Sequence, residues 1–179
     1  MTTANTLLKP DQDRQPAAPA IDTRALRNAM GNFATGVTVV TAPGEGDAMV
    51  GITANSFSSL SLDPPLILWS LSLNSPSLAA FQEGLPFAIN VLCQGQEALA
   101  MQFARASDNK FSEVEYRLNQ RQVPLLANTL AQFECEVEFT RCLGDHLLIV
   151  GRVQEFRCDQ GEPMLFFKGQ FNALEARCA

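Results

Sequence analysis

From Ile21 onward the apolar positions fall into short runs of two kinds, one repeating every three to four residues and one every second residue. Asp22 is placed as an N-cap, and Leu26, Met30 and Phe33 recur at helical spacing until Gly36, which predicts a short amphipathic helix. Val37 to Thr41 is β-branched throughout and runs into Pro43-Gly44-Glu45-Gly46-Asp47, so a strand and a hairpin are expected, with the returning strand feeding Gly51 to Pro65. Leu66 to Leu71 is a continuous apolar run of strand length, the pattern of a strand buried on both faces. Ser75 before Pro76 reads as the start of a helix that Gly84 should stop. Phe87 to Leu92 predicts another strand, Gln96 to Ala104 a helix, and Ser107 to Gln122 a polar, partly helical excursion. Ala131, Phe133, Cys135, Val137 and Phe139 then alternate with polar neighbours, which predicts an antiparallel strand with one face in the core and the other in water. Leu143-Gly144-Asp145 is turn chemistry, His146 to Phe156 returns as the partner, and Met164 to Phe167 forms a last strand leading to Lys168-Gly169-Gln170-Phe171-Asn172.

Many short strands with turn signals between them, and only a few short helices, predict a mostly β fold, an antiparallel barrel or sandwich. The proline-rich, apolar-poor residues 1–20 read as a disordered tail, leaving 21–175 as a single domain. With 46% hydrophobic residues the chain can fill a sizeable core. Thirteen basic against nineteen acidic residues give a net charge of −6 with no basic cluster, which disfavours nucleic acid as a partner. No apolar run is long enough to span a bilayer and no signal peptide is apparent, so a cytoplasmic protein without membrane partners is expected. The five cysteines, Cys93, Cys135, Cys142, Cys158 and Cys178, are odd in number and form no C-x-x-C, so they read as reduced thiols.

A single histidine, His146, cannot build a zinc site of the H-E-x-x-H kind, and no metal is expected. No nucleophile elbow, P-loop or Gly-rich dinucleotide fingerprint is present either. What stands out is Gly51 to Pro65, where Thr53, Ala54, Asn55 and Ser56 offer small side chains that let a planar ligand approach the backbone. Ser72, Ser75 and Ser77 gather hydroxyls around the expected helix start, a place suited to an anion. Asn90 sits in an otherwise apolar strand, where a buried amide needs partners. A fold with few acid–base groups and a hydroxyl-rich concavity suits a cofactor that brings its own reactivity.

Four segments in order, Arg27 to Thr41, Thr53 to Pro65, Phe87 to Leu92, and Gly144-Asp145-His146 with Gly151, resemble the short-chain flavin reductases, the NAD(P)H:flavin oxidoreductases that supply two-component monooxygenases. The resemblance covers roughly Ala25 to Leu174. It implies an FMN-binding split β-barrel, homodimeric, that passes hydride from NADH or NADPH to FMN or FAD and releases reduced flavin to a separate monooxygenase or halogenase. It implies that Thr53, Ala54, Asn55 and Ser56 meet the flavin ring and ribityl chain, and that Ser70, Leu71, Ser72, Ser75 and Ser77 hold the phosphate end. Ala88, Asn90, Phe103 and Lys110 would complete the pocket, while His146, Gly169, Gln170, Phe171 and Asn172 would meet nicotinamide. No side chain is implied as a catalytic acid or base. Two positions depart from the family pattern: Phe171-Asn172 stands where Tyr-His is frequent, and Trp69 is bulkier than expected. The alternatives are a non-catalytic flavin- or pigment-binding module, or a bound-flavin reductase of another acceptor such as a metal complex or a corrinoid.

Overall fold

The computed structural model describes residues 21–107 and 109–174; the expected tail at 1–20 and Cys178 lie outside them. Strands β1 to β12 and two helices follow in chain order: α1(Thr23–Met30), β1(Thr35–Gly36), β2(Thr38–Pro43), β3(Met49–Ala54), β4(Ser58–Leu62), β5(Pro65–Ser72), β6(Pro86–Val91), α2(Glu97–Ala104), β7(Tyr116–Leu118), β8(Pro124–Leu126), β9(Ala131–Leu143), β10(His146–Cys158), β11(Leu165–Phe167) and β12(Gln170–Asn172). The fold is mostly β, as expected. Among the described residues seven strands form one antiparallel sheet in the order β3-β2-β6-β9-β10-β5-β4, flanked by the small sheets β1-β11-β12 and β7-β8.

The edges of the large sheet are β3 and β4, yet only Asn55, Ser56 and Phe57 separate them in the chain. A connection that short reaches little more than about 14 Å, so the sheet must curl until its two edges meet at this corner. The inside of the curl is filled by Val40, Ile67, Trp69, Phe81, Phe87, Ile89, Val137 and Ile149, drawn from strands at both ends of the order. Trp69 packs edge-on against Phe81 with ring centroids 4.9 Å apart, so its bulk is spent in the core. At Gly151 a Cβ would collide with the Phe87 ring, which explains a glycine inside a long strand. A second cluster, Val37, Val39, Leu92, Ala100, Phe103, Leu126 and Met164, forms where α2 and the β11–β12 hairpin cover the sheet.

Several elements differ from the expectation, each for a physical reason. Asp22 does cap α1, its Oδ1 accepting from the Arg24 and Ala25 amides, but the helix ends at Met30, and Leu26, Met30 and Phe33 are all exposed. No helix follows Ser75-Pro76: a 3-10 turn of four residues, Leu78–Phe81, carries no side-chain cap and delivers Phe81 into the core. The run Leu66 to Leu71 alternates, with Ile67, Trp69 and Leu71 buried and the other face half-exposed. The described residues of the excursion 107–122 form no helix and include β7, paired with β8.

The alternation in β9 also reads differently in space. Gln132 is buried and Phe139 is 43% exposed, because Leu125 and Leu126 of β8 cover the face expected to meet water, whereas β9 runs past the core at its far end. Beneath β8, Asn90 finds every partner its amide needs. Its Nδ2 donates to Val39 O and Thr41 Oγ1, both at 3.0 Å, and its Oδ1 accepts from the Leu126 amide at 3.0 Å and Gln132 Nε2 at 2.8 Å. The β9–β10 turn is the two-residue Gly144-Asp145 connection, pairing Leu143 with His146. No described helix is long and apolar enough to cross a membrane.

Candidate functional site

The Lys110 ammonium, drawn into a cleft beside β3, donates to Gly51 O at 3.0 Å and Phe103 O at 2.9 Å. A strand residue points its N–H and C=O to the same side, and the side alternates, so Met49, Gly51 and Thr53 all turn their backbone groups away from β2. The register agrees, since Met49 faces Pro43, a residue with no amide hydrogen to offer. Edge strand β3 therefore presents a row of peptide groups to whatever lies beside it. Helix α2 covers part of that edge: the Thr53 hydroxyl donates to Ala100 O at 2.6 Å, and Phe103 fits onto Gly51 only because no Cβ is there.

What remains open is a cleft of about 630 Å³ lined by Asp47 to Thr53, Ser75 to Ser77, Phe103 to Ser107 and Asn109 to Phe111. It holds two cations, Arg105 and Lys110, beside a set of hydroxyls, with Asp47 at one end. Burial lowers the pKa of Lys110, and its loop is fixed by Gln102 Nε2, which donates to Lys110 O at 2.8 Å and Ser112 O at 2.9 Å. The cleft thus sets charged donors at its middle beside main-chain groups along one wall, a combination suited to an anion.

Five of the expected flavin residues, Thr53, Ser75, Ser77, Phe103 and Lys110, come together in this cleft. A second group gathers next to it. Ser56 Oγ accepts from the Ser70 amide at 3.0 Å, and Ser72 pairs in register with His146. The Leu73 amide donates to Asp145 O at 3.0 Å, tying the chain after β5 to the hairpin tip. Residues 53–56 and 72–77 connect the two groups, with Ala54 closing β3 and Asn55 exposed beyond it. Leu71 sends its side chain into the core and has only its backbone to offer.

His146 is exposed at the hairpin tip. Its Nδ1 lies 2.7 Å from Asp145 Oδ1, so the Nδ1–H donates to the carboxylate and Nε2 is left to face outward. The same hydrogen bond holds the Asp145 carboxyl below the usual carboxylate range. Lys168 and Gly169, both with positive φ, turn the β11–β12 hairpin, whose Gly169, Gln170 and Asn172 are exposed while Phe171 packs on Phe166 at 5.7 Å. Phe166 and Phe171 of that hairpin pack against the cluster that contains Phe103. Within one chain the described residues show no hydrogen bond between the two candidate nicotinamide groups.

Ala88 and Asn90 do not border the cleft. Both are fully buried, Ala88 against Val123 and Leu125 and Asn90 in the network under β8, so in this chain they are core residues. Conversely, Met49, Arg105 and Phe111 line the cleft without having been expected there. Arg105 directly follows α2, five residues before Lys110, and both line the cleft.

Comparison with known proteins shows the family. The chain is 43% identical over 150 residues to the FMN reductase (NADH) SmoA of Agrobacterium fabrum, covering 84% of this chain and 85% of that one. It is 35% identical over 164 residues to the reductase subunit HsaB of a flavin-dependent monooxygenase from Rhodococcus jostii, covering 91% and 84%. Other relatives are longer: the chain spans 45% of a probable flavin reductase of Rhizobium meliloti. Among solved structures, the NADH:FAD oxidoreductase SgcE6 of Streptomyces globisporus, in complex with NAD and FAD fragments, superposes with a TM-score of 0.81 at 36% identity, covering 88% of this chain and 96% of that one. Residues 30–175 match the family described as Flavin reductase like domain, and it is to this flavin reductase family that the chain belongs.

Proposed function

We propose that the protein is an NADH-dependent flavin reductase that delivers reduced flavin to a separate flavin-dependent oxygenase or halogenase. The observation that carries this reading is the cleft in which an unpaired strand edge meets Lys110, Arg105 and the Ser75 and Ser77 hydroxyls. Its donors and its volume fit a flavin phosphate with the ring end toward Ala54–Ser56. Bound flavin and nicotinamide supply the redox chemistry themselves, one accepting a hydride and the other giving it. The protein's part is positioning: peptide groups from Thr53 to Ser56 hold the ring edge, and Lys110 with Ser75 and Ser77 holds the phosphate. Asp145 fixes the His146 tautomer so that Nε2 is available to the carboxamide or ribose of the nicotinamide nucleotide.

The assembly we infer is a homodimer of split barrels, supported by the meeting of the two sheet edges at Asn55–Phe57 and by the half-exposed outer face of β5. In that arrangement the β11–β12 hairpin of one protomer would reach the nicotinamide side of its partner's site, so that Phe171 and His146 would meet across the dimer. NADH consumption at 340 nm with purified protein and added FMN or FAD tests the activity. Steady turnover with either flavin is expected, and none with any pairing of NADH or NADPH with FMN or FAD would overturn it. A protein that kept flavin through gel filtration yet left it oxidised on adding NADH would instead be a binding module.

A further inference from the structure

The register of β5, β9 and β10 sets a group of polar side chains on the sheet face that the core does not use. Along β10, Leu147 and Ile149 turn inward with Leu71 and Trp69 of β5, so His146 and Leu148 turn outward. Residues directly opposite in antiparallel strands share a face, which carries Ser72 and Leu143 outward with His146, and Ser70 and Arg141 outward with Leu148. Two adjacent rows result, Ser72-His146-Leu143 and Ser70-Leu148-Arg141. The second row starts at Ser70, whose amide donates to Ser56 Oγ at 3.0 Å, and ends at Arg141, two strand spacings or about 10 Å away. Arg141 is exposed, and among the described residues it has no carboxylate in ion-pair range, unlike Arg117, Arg121, Arg152 and Arg157. The acids closest in the chain fold are engaged elsewhere: Glu83 accepts from the Thr140 amide at 3.2 Å, and Asp145 is bound to His146.

We propose that Arg141 is a specificity-determining residue of the reaction: it binds the pyrophosphate of NADH while His146 meets the nicotinamide end, and so makes the protein prefer the dinucleotide to a phosphate-free nicotinamide donor. The proposal rests on the reading that nicotinamide lies at His146. The two rows are about 7 Å apart along the strands. A ribose is all that separates nicotinamide from the first phosphate of the dinucleotide, so a phosphate falls within reach of the next row. Arg141 is the only permanently charged side chain in either row, and a guanidinium donates in pairs to phosphate oxygens. The rest of the chain, with a net charge of −6, offers such an anion no general attraction. The pyrophosphate is unchanged during hydride transfer, so the contact is equally strong before and at the transition state. Its loss therefore falls on KM rather than on kcat.

Steady-state kinetics of the full-length protein at saturating flavin test the assignment, comparing NADH with dihydronicotinamide riboside, which carries no phosphate. Arg141→Ala is expected to raise KM for NADH about tenfold, the loss of one charged hydrogen bond, with little change in kcat. The NADH-to-riboside ratio of kcat/KM should fall by about the same factor. The decline of kcat/KM for NADH with added salt should also be shallower in the variant. Arg141→Lys keeps the charge but not the paired donors, and is expected to recover part of the ratio. Arg141 is exposed, so both variants retain the fold, which circular dichroism checks. A ratio unmoved by Arg141→Ala, whether both rates hold or both fall, overturns the proposal while leaving the reductase reading intact. If the riboside turns over too slowly to measure, the salt dependence decides: a shallower slope in the variant supports the proposal and an unmoved slope overturns it. Absence of turnover by the unaltered protein with NADH and either flavin overturns the reductase reading as well.

Discussion

A single imidazole stands at the tip of the β9–β10 hairpin, and its surroundings set what it can do. Asp145 Oδ1 accepts a hydrogen bond from Nδ1–H, so Nε2 is left as an acceptor, with His146 level with Ser72 across the strand pair. One hydrogen bond accepted by that nitrogen is worth about 0.5–1.5 kcal/mol. His146→Ala should therefore lower kcat/KM for NADH by roughly 3- to 10-fold while flavin affinity moves much less. Initial rates at varied NADH, set beside a flavin titration, check both halves of that statement. An equal loss of flavin affinity would place His146 elsewhere. Asn90 makes the opposite point: an amide that looks like a ligand group in the sequence has all of its hydrogen-bonding capacity spent on Val39, Thr41, Leu126 and Gln132. Sequence exposes the need for partners but not whether protein or ligand meets it.

At the scale of elements, the decisive contact is α2 on β3. Gly51 has no Cβ, and one placed there would strike Cδ1 and Cε1 of Phe103. Gly51→Ala should push Phe103 off the strand and cost about 1–3 kcal/mol, the usual range for overpacking. Urea denaturation is expected to show the lowered midpoint, and an unchanged midpoint would mean that the helix adjusts freely. Since Phe103 O is also a Lys110 acceptor, the same variant should loosen the cleft. Most strands were legible from their own chemistry: the β-branched run of β2, the period-two pattern of β9 and the Gly-Asp turn before His146 are local signals. The pieces that were not legible depend on distant chain. Gln132 is inside because β8 covers it, and the Ser75-Pro76 start comes to only a 3-10 turn because Phe81 is needed beside Trp69. For the same reason Thr53 and Ser75 could be read as candidate site residues each in its own segment, Lys110 only through the family resemblance, and Arg105 not at all, since its place on the cleft wall depends on the direction in which α2 crosses β3.

For the whole molecule, the outer face of the sheet raises the question of what covers it. Leu60 and Leu62 of β4 are 48% and 94% exposed, Phe156 of β10 is 71% exposed, and Leu26, Met30 and Phe33 stand out from the N-terminal segment. A single chain leaving so many large apolar groups in water is poorly matched to its solvent, and a symmetric pairing would bury them reciprocally. Light scattering at micromolar concentration should give the mass of two chains. A single-chain mass would remove the dimer and, with it, the partner's hairpin from the nicotinamide side.

The three residues that join the two edges of the large sheet follow Ala54 directly, one residue beyond Thr53 of the cleft wall, so on the proposed placement of the flavin ring a bound ligand would brace the corner at which the sheet curls. A molecule held at Thr53 to Ser56 acts as a clasp. Ligand at a hundred times its Kd adds about 2.7 kcal/mol to the stability of the folded form, which is comparable to the cost of a serious core defect. A melting curve recorded with saturating flavin would hide such a defect, and the same defect would reappear in the apoprotein as weakened affinity. Flavin occupancy in the cell thus becomes a gauge of how well this chain is folded, as well as of how fast it turns over.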